Sequence, residues 1–171
     1  MLNDKEIKQF IEEKGLITGY IDLDTQITQN GVDLTVSKIF SFESNGQVDF
    51  SNSERELPEC EEIEPVKQNS DDKYGWWHLE PGVYKIKSNE ILSLPNNLAG
   101  FALSRTTLLR VGVSVSNGFW EAGFSGRSEA LLSVGNPYGV KIKENARVIQ
   151  IAFFYINEVK GGYDGIYKDI A

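Results

Sequence analysis

A chain of 171 residues, 40% of them hydrophobic, is long enough for one domain with its own core, and a mean hydropathy of −0.30 suits contact with water. A net charge of −8 argues against a surface that grips a nucleic-acid backbone, although a few arginines suffice for a local anion pocket. The single cysteine, Cys60, excludes an internal disulfide and fits a reducing, cytoplasmic setting; with one histidine, His78, it cannot supply the usual zinc ligands.

In chain order, Asn3-Asp4 followed by Ile7, Phe10 and Ile11 predicts a capped amphipathic helix that Gly15 stops. The opening residues lack the apolar core of a signal peptide, and no later run is long enough to cross a bilayer, so no membrane partner is expected. Gly31 to Val36 alternates, with Val32, Leu34 and Val36 on one face and Asp33 and Thr35 on the other. Locally, Asp33 reads as a solvated aspartate at a surface or turn. Residues 41–75 are rich in Glu, Asp, Ser and Asn and form an acidic excursion with at most short strands, mobile in part. Of Trp76 and Trp77, at least one is expected to pack in a core or interface.

From Leu79 onward the pattern is all-β. Glu80-Pro81-Gly82 and Leu94-Pro95-Asn96-Asn97 are turns, and Tyr84 and Ile86 alternate with Lys85 and Lys87. Val148 to Ile156 is apolar on both faces, as a buried strand is. Gln150 inside it needs partners, either as a structural bridge, the preferred reading, or as a ligand contact. Short strands, glycine and proline turns and one or two short helices predict a single, mainly β domain over residues 1–171, closed or sandwich-like.

Two stretches carry chemistry. Ser104-Arg105-Thr106-Thr107-Leu108-Leu109-Arg110 leaves a strand and starts a short helix. Its hydroxyls, guanidiniums and backbone N–H groups suit phosphate oxygens, but a plain capped helix with two surface arginines reads the same way. Phe119-Trp120-Glu121-Ala122-Gly123-Phe124-Ser125-Gly126 reads as a tight hairpin or arch after the Asn117-Gly118 turn. It leaves Glu121 as either an exposed charge or a placed one.

In their order and spacing these segments resemble the superfamily of trimeric deoxyuridine triphosphatases and deoxycytidine triphosphate deaminases, in its archaeal-type branch. The likeness runs through Asp4-Lys5-Glu6-Ile7-Lys8, Asn30-Gly31-Val32-Asp33-Leu34, Leu79-Glu80-Pro81-Gly82 and Leu94 to Gly100. It continues through Arg105-Thr106-Thr107-Leu108-Leu109-Arg110-Val111-Gly112, Glu121-Ala122-Gly123-Phe124-Ser125-Gly126, Arg147-Val148-Ile149-Gln150 and Tyr163-Asp164-Gly165-Ile166-Tyr167. The resemblance implies a distorted β-barrel or jelly-roll-like homotrimer with active sites at subunit interfaces and a tail, residues 160–171, that closes over the triphosphate.

By the same resemblance, Glu121 stands where the triphosphatases carry the Asp that activates the attacking water, one methylene longer. Asp33 would orient a water on Mg2+, itself held mainly by the substrate's phosphates. Ser104, Arg105, Thr106, Thr107 and Arg110 would grip phosphate, while Asn117, Gly118 and Phe119 lie beside the base. Gln150, Tyr163 and Tyr167 complete the substrate contacts. In register, the tail's Lys falls on Ile166 and its Gln on Ile170, with Lys168 near enough to replace the lost charge. The deaminases carry a general-base Glu ten residues after that Asp; here the position is Leu131, and Glu129 sits about 6.6 Å away on the same strand face. The expected activity is therefore Mg2+-dependent hydrolysis of dUTP to dUMP and pyrophosphate. The alternatives are dCTP deamination, alone or combined with that hydrolysis, and a non-catalytic nucleotide-binding protein on the same fold.

Overall fold

Asn3 caps the first helix, α1 (Asp4–Lys14). Its side chain accepts from the Glu6 N–H while the Glu6 carboxylate accepts from the Asn3 N–H, an exchange worth about 1 kcal/mol. Gly15 ends the helix at φ +65°, where a side chain would be strained. Ile7 and Ile11 enter the core, and the Leu2 N–H donates to the Phe153 carbonyl, fixing the N-terminal segment to the last strand. The computed structural model describes residues 1–169; the tail position Ile170, where the family's Gln falls, lies outside them.

Between α1 and the main sheet come β1 (Ile17–Thr18), α2 (Leu23–Gln26) and β2 (Ile27–Thr28). The long strands β3 (Gly31–Phe42) and β6 (Gly82–Ser93) pair with each other. The antiparallel sheet extends through β7 (Leu98–Ser104), β8 (Val113–Ser116), β9 (Ser125–Val134) and β11 (Arg147–Tyr155) in the order β7-β11-β3-β6-β9-β8. Its two ends meet: Ser104 Oγ donates to the Val115 carbonyl and accepts from the Val115 N–H, and Gly100 bridges Trp120. This near closure is the distorted barrel that the sequence predicts. Short β5 (Trp76–Leu79) pairs with β10 (Val140–Lys143) and buries Trp77 and Ile142, so one of the two tryptophans packs as expected. The excursion contributes β4 (Cys60–Ile63) and the bridges Gln47–Glu56 and Val66–Trp76. The third helix, α3 (Thr106–Arg110), follows β7 directly, so the described residues hold three helices, one more than expected.

Two readings of strands need correction. The Asp33 face of β3 is not solvated: Asp33 is 1% exposed, because α2 and charged side chains from β6, β11 and the β7–α3 junction cover it. Conversely, β11 is not buried on both faces. Gln150 and Phe154 stand exposed, alongside Phe101 and Leu103 of the paired strand β7. A run of apolar residues records that both faces are covered by something, and in a single chain one face of β11 is open.

Candidate functional site

Asp33 anchors a polar cleft of about 270 Å³ that also takes in Thr25, Thr28, Arg105, Thr106, Arg147 and Gln150. Arg105 Nε lies 2.8 Å from Asp33 Oδ2 and Arg147 Nη1 lies 3.2 Å from the same oxygen. Arg147 is held in place by a second bond to the Thr25 carbonyl. Burial pushes the Asp33 carboxyl above its ordinary value, and the two guanidiniums pull it partly back. Oδ1 of Asp33 is buried without a hydrogen-bond partner, leaving one acceptor for a water or ligand group.

Gln150 shares this cleft and is exposed, with Nε2 donating to Thr28 Oγ1. It is therefore neither the buried residue the sequence implied nor a pure structural bridge. Thr107 and Arg110 are exposed on α3 and are not among the residues lining the cleft. Arg105 occupies the cap position of α3 without a side-chain cap bond, so the capped-helix reading of this segment does not hold. Ser104 is a correction too. Both its donor and an acceptor site are committed to the Val115 backbone, so its hydroxyl closes the barrel. Arg147, quoted in the late motif but given no role, was missed; its signal was a cation at the start of a strand that pairs with the strand carrying Asp33.

The second half of the site is aromatic. Gly118, Phe119, Trp120, Phe124, Arg127, Ser128, Glu129, Tyr163 and Tyr167 surround a cavity of about 260 Å³. An adjoining cleft of about 520 Å³ shares Phe119 and Tyr163 and adds Glu121, which is exposed and lines the cleft. The arch predicted here exists: the Phe124 N–H closes a turn onto the Glu121 carbonyl, and Gly123 takes φ +79°. Asn117 orients the approach, donating Nδ2–H to the Ala102 carbonyl.

The tail folds back over this turn in the same chain. The Tyr163 N–H donates to the Ala122 carbonyl at 2.7 Å and the Asp169 N–H to the Ser125 carbonyl at 2.7 Å, while the Phe124 and Tyr163 rings lie 5.6 Å apart. A Cβ built on Gly123 would meet Gly162 Cα at 2.4 Å, so two glycines cross backbone to backbone. Arg55, from the excursion, lies over the Tyr167 ring at 5.8 Å. Lys168 and Ile166 are exposed. On β9, Glu129 lines the aromatic cavity and pairs loosely with Lys85 at 3.6 Å, whereas Leu131 is not among the lining residues.

Comparison with known proteins gives this geometry a family. The model of the dCTP deaminase-like family matches residues 1–156. The chain is 42% identical over 168 residues to a probable deoxyuridine 5'-triphosphate nucleotidohydrolase of Archaeoglobus fulgidus, covering 98% of this chain and 95% of that protein. It is 41% identical over 171 residues to the Methanosarcina mazei protein of the same name, covering 99% and 96% of the two chains. It is also 41% identical over 145 residues to a deoxyuridine 5'-triphosphate nucleotidohydrolase of Methanocaldococcus jannaschii, covering 85% and 88%. Among solved structures it is similar to a 2'-deoxycytidine 5'-triphosphate deaminase from Agrobacterium tumefaciens, with a TM-score of 0.65 and 18% identity over 91% of this chain. The match spans 48% of that deaminase chain, and it speaks for the fold. The near-closed antiparallel barrel, the paired arginines on Asp33 and the Glu121 arch thus lie in a chain that belongs to the dCTP deaminase-like family.

Proposed function

We propose that the protein hydrolyses dUTP to dUMP and pyrophosphate. The observation that carries this reading is the near-full-length identity with archaeal proteins named deoxyuridine triphosphate nucleotidohydrolases. The geometry supports it. Arg105, Arg147 and Thr106 form a cationic and hydroxyl-bearing cleft suited to phosphate oxygens. Arg110, four residues after Thr106 on α3, is a further exposed cation for the phosphates, and Thr107 a further exposed hydroxyl. Gly118, Phe119 and Phe124 offer an apolar slot with open backbone groups for a base and deoxyribose.

In the reaction, Glu121 takes a proton from water as the water oxygen bonds to the α-phosphorus. The bond from that phosphorus to the α–β bridging oxygen breaks, and its electrons leave with pyrophosphate. Among the described residues no group of three or more His, Cys, Asp or Glu could hold a metal. The unpartnered Oδ1 of Asp33 fits an Mg2+ that rides on the substrate's phosphates and is reached through water. When bound, that ion neutralises the triphosphate and polarises the reacting phosphorus. Tyr163 and Tyr167 cover the aromatic cavity, and Lys168 supplies a cation beside them.

Asp33 and Glu121 line different clefts of one chain. A complete site therefore needs a neighbour, and the exposed Phe101, Leu103 and Phe154 give copies of the chain an apolar face to share. A homotrimer satisfies both requirements. The lone Cys60 fits a reducing compartment, the cytoplasm.

A second reading, dCTP deamination, is favoured by one observation: Glu129 faces the aromatic cavity that would hold the base. Incubation with dUTP or dCTP and Mg2+, with separation of products, decides. Equal amounts of dUMP and pyrophosphate from dUTP are expected. Failure to form dUMP overturns the proposal; dUTP or dUMP formed from dCTP establishes the deaminase, and tight binding without turnover establishes a binding protein.

A further inference from the structure

The molecule buries one carboxylate that the proposed chemistry does not use. Glu90 is 0% exposed and sits where the sheet is irregular. Three residues of β6, 88–90, stand opposite one residue of β9, Ser128, and the β3–β6 register also slips between Val36 and Lys38. Such a bulge re-aims a side chain that regular pairing would send elsewhere. Here it delivers the Glu90 carboxylate to the strand that carries Asp33.

The contacts are short and specific. The Thr35 N–H donates to Glu90 Oε2 at 2.9 Å, Thr35 Oγ1 donates to Oε1 at 2.6 Å, and Gln26 Nε2 donates to Oε1 at 2.7 Å. The same Gln26 Nε2 donates its other hydrogen to the Asp33 carbonyl at 2.8 Å. Gln26 Oε1 in turn accepts from the Ile21 and Asp22 N–H groups. The backbone that follows the Asp33 side chain is thus fastened by side chains: its own carbonyl by Gln26, and the N–H two residues on by Glu90. The network continues on the far side. Ser88 Oγ donates to the Glu90 carbonyl, the Ser128 N–H to Ser88 Oγ, and Trp120 Nε1 to Ser128 Oγ. The buried polar residues Gln26, Asp33, Thr35, Ser88, Glu90 and Ser128 all belong to this one run.

A buried carboxylate is a costly way to hold two strands, and an apolar side chain of like volume could pack the same space. What an apolar residue could not do is satisfy three convergent donors and so fix the angle at which β3 presents Asp33. We infer that Glu90 is a positioning residue: with Gln26 it sets the backbone at Asp33 so that its carboxylate meets Arg105 and Arg147 in the polar cleft. This rests on the proposed role of that cleft in dUTP hydrolysis.

The test is a double-mutant cycle on the full-length protein, using Glu90→Gln, which places an amide N–H against one of the three donors. Turnover of dUTP by the folded variant is expected to fall ~10- to 100-fold with KM changed less. In an Asp33→Asn background the same substitution is expected to change turnover by less than about 2-fold, while its effect on melting temperature persists. A second readout needs no activity: the Arg105 Nε–H signal in 15N NMR is expected to shift in Glu90→Gln. If that variant fails to fold, Thr35→Val removes one bond to Glu90 and is expected to shift the same signal and lower turnover by a smaller factor. Full turnover in the folded variant, equal losses in the two backgrounds, or an unmoved Arg105 signal would each overturn the inference. Inactivity of the unaltered protein would instead count against the dUTP reading, leaving the NMR result to judge Glu90.

Discussion

The two halves of the site are built by opposite means. Around Asp33 the work is done by side chains: two guanidiniums, from the α3 cap and the start of β11, meet one buried carboxylate, and Arg147 is tied to the Thr25 carbonyl as well. Around Glu121 the work is done by backbone. A glycine turn, an irregular tail segment laid across it and a set of aromatic rings leave the carboxylate exposed. The first half is preorganised and electrostatic, so it suits the highly charged end of a nucleotide. The second is adaptable and apolar, so it suits a base and sugar that enter and leave.

This contrast can be broken in measurable ways. The largest effect belongs to Glu121→Gln. Removing the proposed general base from an exposed turn is expected to lower dUTP turnover on the order of 10²- to 10⁴-fold, with unfolding free energy unchanged within about 0.5 kcal/mol; chemical denaturation beside a product assay checks both. Arg105→Ala is expected to act on both properties at once. It leaves the buried Asp33 with Arg147 as its remaining partner, and is expected to cost about 3 kcal/mol of stability together with turnover. Equal stability in the two variants would erase the distinction between the halves.

The smallest effect is a matter of pH. Burial pushes the Glu90 carboxyl above its ordinary 4.5, against the hydrogen bonds from Thr35 and Gln26 that favour the ionised form. Between the ordinary and the raised value the folded state holds more proton than the unfolded state, so this contribution to stability is present at low pH and is lost as pH rises through the folded value. Subtracting the stability of Glu90→Gln from that of the unaltered protein, across about pH 4 to about pH 7, is expected to give a difference that declines with pH. A flat difference would mean that Glu90 does not titrate in that window.

Much of this was legible in the chain itself. The Asn3 cap and Gly15 stop are local rules, and both hold. The arch at Glu121 follows from Asn117-Gly118 and Gly123, and turn chemistry of that kind acts over a few residues. What failed did so for one reason: period-2 alternation says which residues share a face but not what covers that face. Asp33 looked solvated because its strand neighbours are polar on that side, yet its cover is Arg105 and Arg147, both more than 70 residues away in sequence. Gln150 looked buried for the converse reason, since its apolar neighbours face an open side of β11. Glu90 carried no signal at all, because a bulge that turns a carboxylate inward leaves no trace in a Lys-Ser-Asn-Glu-Ile run.

The crossing of Gly123 and Gly162 has a practical side. With 2.4 Å between a Cβ at 123 and the Gly162 Cα, and 2.9 Å between a Cβ at 162 and the Gly123 Cα, neither position takes a methyl group without one backbone shifting from the other. One alanine at 162 would therefore act as a doorstop, holding residues 163–169 off the Glu121 turn while leaving the turn's own sequence and the length of the chain intact. For anyone attaching a label, residues 163–169 are the stretch to treat with care, because Tyr163 and Tyr167 line the cavity.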